Sequence, residues 1–127
     1  MPVIKANLDE VKPIDNGTYE GTILAATPGV NSKGGAQLEV QAELQVNGGT
    51  KKRTARVQTE GKGAFMFDRL LRATGFAHIA NAIINHQNPQ FDSDDLHGQR
   101  LKFVVEQRPS MNDPETMQDE IKSFLPL

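Results

Sequence analysis

The sequence predicts a mainly β domain, five strands closing into a barrel, with one or two helices between the third and fourth strands. Three observations carry this. Residues Gln37 to Val46, QLEVQAELQV, alternate apolar and polar without interruption, the period-two pattern of a strand buried on one face. NGGT follows at once, a strong hairpin signal, and leads into a further extended stretch. The period then changes in AFMFDRLLRATGF, where Phe67, Leu70, Leu71 and Thr74 share one helical face and Asp68, Arg69 and Arg72 lie off it. A chain of 127 residues suits one domain with one core.

Each element follows in order. Residues 1–16, with Pro2 and Pro13 and mixed polarity, read as an irregular lead-in to a single domain over residues 17–127. GTYEGTILAAT, Gly17 to Thr27, reads as the first strand, and its interior Gly21 marks a bulge or bend. Pro28 to Gly35 is turn-rich. The second strand is Gln37 to Val46 and the third Lys51 to Thr59. Pairing Asn47 with Thr50 sets Ala42 opposite Ala55 and Val40 opposite Val57, so the apolar faces agree. Lys52, Thr54, Arg56 and Gln58 then face solvent. Lys51 and Arg53 fall on the core side near the turn, where the sheet is expected to project past the core.

Gly75 is placed to cap the first helix. AHIANAIINH reads as a second short helix. NPQFDSDD reads as a loop or helical turn, capped by Asp92, Ser93 or Asp94 and anchored by Leu96. The fourth strand lies within Leu96 to Arg108, with Leu101, Phe103 and Val105 inward. Pro109 to Glu120 is a polar, acidic loop with two prolines, and Ile121 to Leu127 is the closing strand. Strand, strand, strand, helix, strand, strand is the connectivity of an OB-fold barrel, whose first strand bends to serve both halves.

Composition narrows the function. There is no cysteine, which excludes disulfides, thiol chemistry and cysteine zinc sites. No apolar run approaches the roughly 20 residues that span a bilayer, and MPVIKANLDEV has no apolar core of a secretory signal. An intracellular location is therefore expected, without membrane partners. No nucleophile elbow, P-loop, zinc-protease helix or EF-hand loop is present, so neither catalysis nor a metal or other cofactor is expected. The net charge is −2, yet Lys51, Lys52, Arg53, Arg56, Lys62, Arg69 and Arg72 crowd a stretch in which only Glu60 and Asp68 are acidic. Such asymmetry makes a local positive field on a mildly acidic chain.

NGTYEGTI, GAQLEVQAELQV, FDRLLRATGF, DDLHGQRLKFVVEQ and IKSFLP together resemble a group of small phage-encoded proteins, some of them found beside replication and recombination genes. The resemblance runs from about Gly17 onward. It implies an OB-like barrel that binds single-stranded DNA in the cytoplasm of a bacterial host cell, in company with phage recombinase or replication proteins.

An OB barrel binds single strands across its second and third strands, between the loops joining strands one and two and strands four and five. Lys51, Lys52, Arg53 and Arg56, with Lys62 just beyond and Lys33 in the first loop, are thus the expected phosphate contacts. Tyr19 and Phe65 are the expected stacking residues. Aromatic content is only 6% with no Trp, so affinity should lean on charge, with weak sequence preference and strong salt dependence. Self-association is expected, because one small groove gives limited affinity and multiplicity raises it. The alternative is a protein-interaction module, an adaptor or inhibitor on the same barrel, using the acidic stretch Asn112 to Glu120.

Overall fold

In the computed structural model, which describes residues 3–6, 12–87 and 89–127, β1 (Gly17–Val30) is shared between two halves of one sheet. Its first part, Gly17 to Thr22, pairs with β4 (Arg100–Pro109), and from Gly21 onward it pairs with β2 (Ala36–Val46). The register slips between Ile23 and Ala25, leaving Leu24 as an extra residue, and such a bulge bends a strand and increases its twist. Gly21 stands at the changeover and pairs with both Leu44 and Leu101. A Cβ there would meet the Glu43 carbonyl oxygen at 2.6 Å and Phe103 Cε2 at 2.8 Å, so only glycine fits.

The five strands run antiparallel in the order β3-β2-β1-β4-β5, with β3 Gly49–Gln58 and β5 Met117–Leu125. The sheet curls until its outer strands β3 and β5 touch. No backbone ladder joins them among the described residues. α1 (Phe65–Ala73) and α2 (Ala77–Ile84) lie between β3 and β4 in the chain, and α1 packs against β5 and β3. Thus a mainly β, barrel-like fold with two helices is present, as expected.

One continuous core fills the curl. Ile23, Val40, Leu44, Val57, Leu70, Leu96, Leu101 and Phe103 are fully shielded from water. Phe103 and Phe124 face each other across β4 and β5 with ring centroids 5.8 Å apart, edge to face. Full burial of side chains of this size stabilises by about 1.5–3 kcal/mol each. Leu70 and Leu71 of α1 and its C-cap residue Thr74 are buried, and Phe67 is half-buried against the core, on the face the helical period predicts. Gly75, at φ 88°, caps that helix, and Phe76 N–H donates to the Leu71 carbonyl at 2.8 Å.

Three expectations need correction. The β2–β3 register differs by two residues from the expected one: Val46 opposes Gly49, Val40 opposes Ala55 and Leu38 opposes Val57. A shift of two preserves which face each side chain takes, so the apolar pattern fits both registers. Turn geometry selects this one, with Gly48 at φ 85° in a two-residue turn. Secondly, β1 continues through Pro28 to Val30, leaving Asn31 to Gly35 as the connecting loop. Thirdly, β5 begins at Met117, so Gln118, Asp119 and Glu120 belong to a strand and not to the acidic loop. Within the lead-in, residues 1, 2 and 7–11 lie outside the described residues, as does Asn88 in the NPQFDSDD segment; residues 12–16 carry no regular element.

Candidate nucleic-acid interface

The outward face of β2 and β3 is built in rows by the sheet register. Gln45 opposes Thr50, Glu43 opposes Lys52, Gln41 opposes Thr54, Glu39 opposes Arg56 and Gln37 opposes Gln58. Rows of neutral hydrogen-bonding groups therefore alternate with rows of opposite charge. Arg56 Nε lies 3.9 Å from Glu39 Oε2, with its side chain 67% exposed. The dense positive run of the sequence is thus interleaved on this face with the carboxylates of the neighbouring strand. Exposed pairs of this kind are worth about 0–1 kcal/mol, so an incoming anion can replace them at little cost.

The expected site residues separate into three places. Lys52 and Arg56 are exposed on the outward face. Lys33 and Lys62 are also exposed, near the end of the β2–β3 hairpin where Gln37 meets Gln58. Lys33 sits in the β1–β2 loop, which Asn31 holds: its side-chain Oδ1 accepts from the backbone N–H of Lys33 and of Gly35, both at 2.9 Å.

Lys51 and Tyr19 form a second group on the core side of the sheet. They line a cavity of about 250 Å³ with Lys12, Pro13, Ile14, Asp15, Val46 and Asn47. Lys51 Nζ donates to the Lys12 carbonyl at 3.1 Å. The Tyr19 hydroxyl donates to the Asp15 carbonyl at 2.7 Å, and its ring is half-buried against the core. Tyr19 therefore stands between lead-in and barrel, half-buried where an exposed ring was expected. Arg53 is likewise withdrawn from the face. Opposite Ala42 in the register, it points to the core side, where its Nε donates to Asp119 Oδ1 at 2.8 Å. The sheet does not project past the core at this point, because β5 comes across to meet it.

Phe65 stands apart at the start of α1 with its side chain open to solvent, the residue 56% exposed. The Arg69 guanidinium lies over the ring, 5.4 Å from its centroid, and Arg69 also donates to Ser123 Oγ at 3.1 Å. One ring face is thus partnered by a cation, the geometry of a cation–π contact.

The sequence reading missed the cleft between β3 and β5. It has a volume of about 290 Å³ and is lined by Thr54, Ala55, Arg56 and Met66 on one side and by Arg108 and Gln118 to Ile121 on the other. Arg108 Nε lies 2.7 Å from Glu120 Oε2, and Lys122 Nζ lies 3.9 Å from the same oxygen. The signal available was the alternation of β4 itself: Glu106 and Arg108 share the face opposite Val105. Reading Asp119 and Glu120 as loop hid their place beside it.

Among the described residues, no group of three or more His, Asp or Glu side chains is arranged to hold a metal ion, and no helix is long and apolar enough to cross a membrane. Compared with known proteins, the chain matches no family model, and no curated protein matches it in sequence.

Proposed function

We propose that this chain is an OB-type barrel that binds single-stranded DNA without sequence preference, on the outward face of β2 and β3, and protects transient single strands in phage replication or recombination. The observation that carries the reading is the strand plan. The order is β3-β2-β1-β4-β5, β1 bends at a bulge to serve both halves, the outer strands come together, and the helices enter between β3 and β4. That plan is the one on which OB-folds present their second and third strands to oligonucleotides. Lys52, Arg56, Lys33 and Lys62 are exposed on or beside that surface and supply phosphate contacts. Gln41, Gln45, Thr50 and Thr54 between them supply neutral donors and acceptors. Phe65 supplies one aromatic ring, so charge dominates over stacking.

The interaction-module reading gains no support from the acidic stretch. Asp113 is used within its own turn, where its carboxylate accepts from Thr116 Oγ1 at 2.6 Å and from Glu115 N–H at 3.2 Å. Asp119 is held by Arg53, and Glu120 lies against Arg108.

The test is fluorescence anisotropy with a labelled oligo-dT of about 30 nucleotides, at several salt concentrations, beside a duplex control. The expected result is tighter binding to the single strand than to the duplex. With four phosphate contacts, log affinity should fall against log salt with a slope of about −3. No binding at low salt would overturn the reading.

A further inference from the structure

Glu120 is held in the β3–β5 cleft by contacts that satisfy it poorly. Its side chain is 38% exposed as a whole, but Oε2 is shielded from solvent and makes no aligned hydrogen bond among the described residues. Arg108 Nε is close, at 2.7 Å, without the alignment of a hydrogen bond, and Lys122 is at the outer limit of an ion pair. Glu106 stands directly opposite Glu120 across β4 and β5, and like charges at opposed positions destabilise a strand pair. The carboxylate thus lies beside two cations, Arg108 and Lys122, with weak directional bonding to either, while Arg56, paired with Glu39, lines the same cleft from β3. Asp119, also in the lining, has one oxygen bonded to Arg53 Nε and the other to the Ile14 backbone N–H, so it does not compete for these cations.

We propose that Glu120 is a built-in competitor for an anion seat: its carboxylate occupies the place where Arg108, with Arg56 and Lys122, takes a phosphate group of a single-stranded nucleic-acid backbone. The source of the phosphate rests on the single-strand reading above; the seat itself rests only on the cleft. A phosphate carries its anionic oxygens tetrahedrally around one centre and is not tethered to β5, so it can settle between Arg108 and Arg56, whereas the Glu120 carboxylate pairs only with Arg108 and Lys122 among the described residues. Glu120 then swings outward to solvent, where part of its side chain already lies. The seat continues the outward face of β3 past Arg56 onto β4 and β5, so a strand lying across the face would run over the seam.

The test compares the parent chain with Glu120→Gln, Arg108→Gln, the double variant, and Glu106→Gln as a control with the same change of charge outside the cleft. Inorganic pyrophosphate is titrated first by calorimetry, then the labelled oligo-dT by anisotropy. Glu120→Gln should bind pyrophosphate about fivefold more tightly than the parent, a gain of the size expected from releasing one exposed ion pair. Glu106→Gln should show little gain, and Arg108→Gln should cancel the gain in the double variant. With oligo-dT, Glu120→Gln should also bind more tightly and steepen the salt slope by about 0.7, one further phosphate. Equal gains from Glu120→Gln and Glu106→Gln, or a gain that survives loss of Arg108, would overturn the seat. The specific pyrophosphate gain without oligo-dT binding by any variant would uphold the seat and overturn the nucleic acid as its source.

Discussion

Arg53 of β3 and Asp119 of β5, 66 residues apart in the chain, meet at 2.8 Å on the seam where the curled sheet closes. Their side chains are 19% and 9% exposed, so the pair is largely withdrawn from water. The second oxygen of Asp119 accepts from the Ile14 backbone N–H, also at 2.8 Å, and Arg53 donates further to the Lys12 carbonyl at 3.2 Å. One carboxylate and one guanidinium therefore bind three segments, β3, β5 and the lead-in, at a place where no backbone ladder among the described residues does so.

Removing one partner leaves the other charge poorly compensated. Asp119→Ala should destabilise the fold by about 2–4 kcal/mol, seen as a lower midpoint in urea unfolding. The double variant Arg53→Met/Asp119→Leu should recover part of that loss, since two apolar side chains need no charge partner. A single variant within 0.5 kcal/mol of the parent would show that the tie does not hold the seam.

Gly21 makes a second stability prediction. Gly21→Ala forces its methyl group onto the Glu43 carbonyl and the Phe103 ring, and should cost about 1–3 kcal/mol. Gly29, in the same strand, has nothing within 4 Å of the position its Cβ would take. Gly29→Ala should therefore leave thermal stability unchanged or slightly raised, by up to about 1 kcal/mol. Equal loss from both substitutions would mean that the backbone and Phe103 do not approach Gly21 as closely as described.

The outward face can be tested without disturbing the core. Lys52→Gln and Arg56→Gln together remove two exposed cations, and unfolding midpoints should stay close to the parent's. Affinity for oligo-dT should fall, and the salt slope should become shallower by about 1.4, two phosphates' worth on a single strand. An unchanged slope would assign these residues to ordinary cross-strand pairing with Glu43 and Glu39.

The two expected stacking residues should behave differently. Phe65→Ala should weaken oligo-dT binding by about 1–3 kcal/mol if its open ring carries a base. Tyr19→Phe removes the hydroxyl's bond to the Asp15 carbonyl. It should lower stability by about 0.5–1.5 kcal/mol and leave oligo-dT affinity as it was. A DNA-binding defect in Tyr19→Phe with intact stability would return Tyr19 to the interface.

Much of this structure was legible locally. The alternation in QLEVQAELQV specified β2 and its inward residues, the period of AFMFDRLLRATG specified α1, and Leu101, Phe103 and Val105 turned inward in β4 as their spacing requires. Such features depend on neighbours within a few residues, so the chain states them directly. The register of the β2–β3 hairpin was not legible, because two registers two residues apart place the same side chains on the same faces. The start of β5 was not legible either. MQDE puts an acid at an inward position, which breaks the apolar alternation and reads as loop.

What the sequence by itself determined is the mainly β plan, the helices between the third and fourth strands, a glycine inside the bent first strand, and the concentration of positive charge around β3 with the face each cation takes. What only the tertiary structure decided is which partner each cation takes. Inward Arg53 meets Asp119, which arrives from the far end of the chain, Lys51 is drawn to the lead-in, and Arg56 lies beside Glu39 of β2. The physical reason is that strand alternation fixes the face a side chain takes, while its ionic partner comes from another segment, which the local pattern around each residue does not encode.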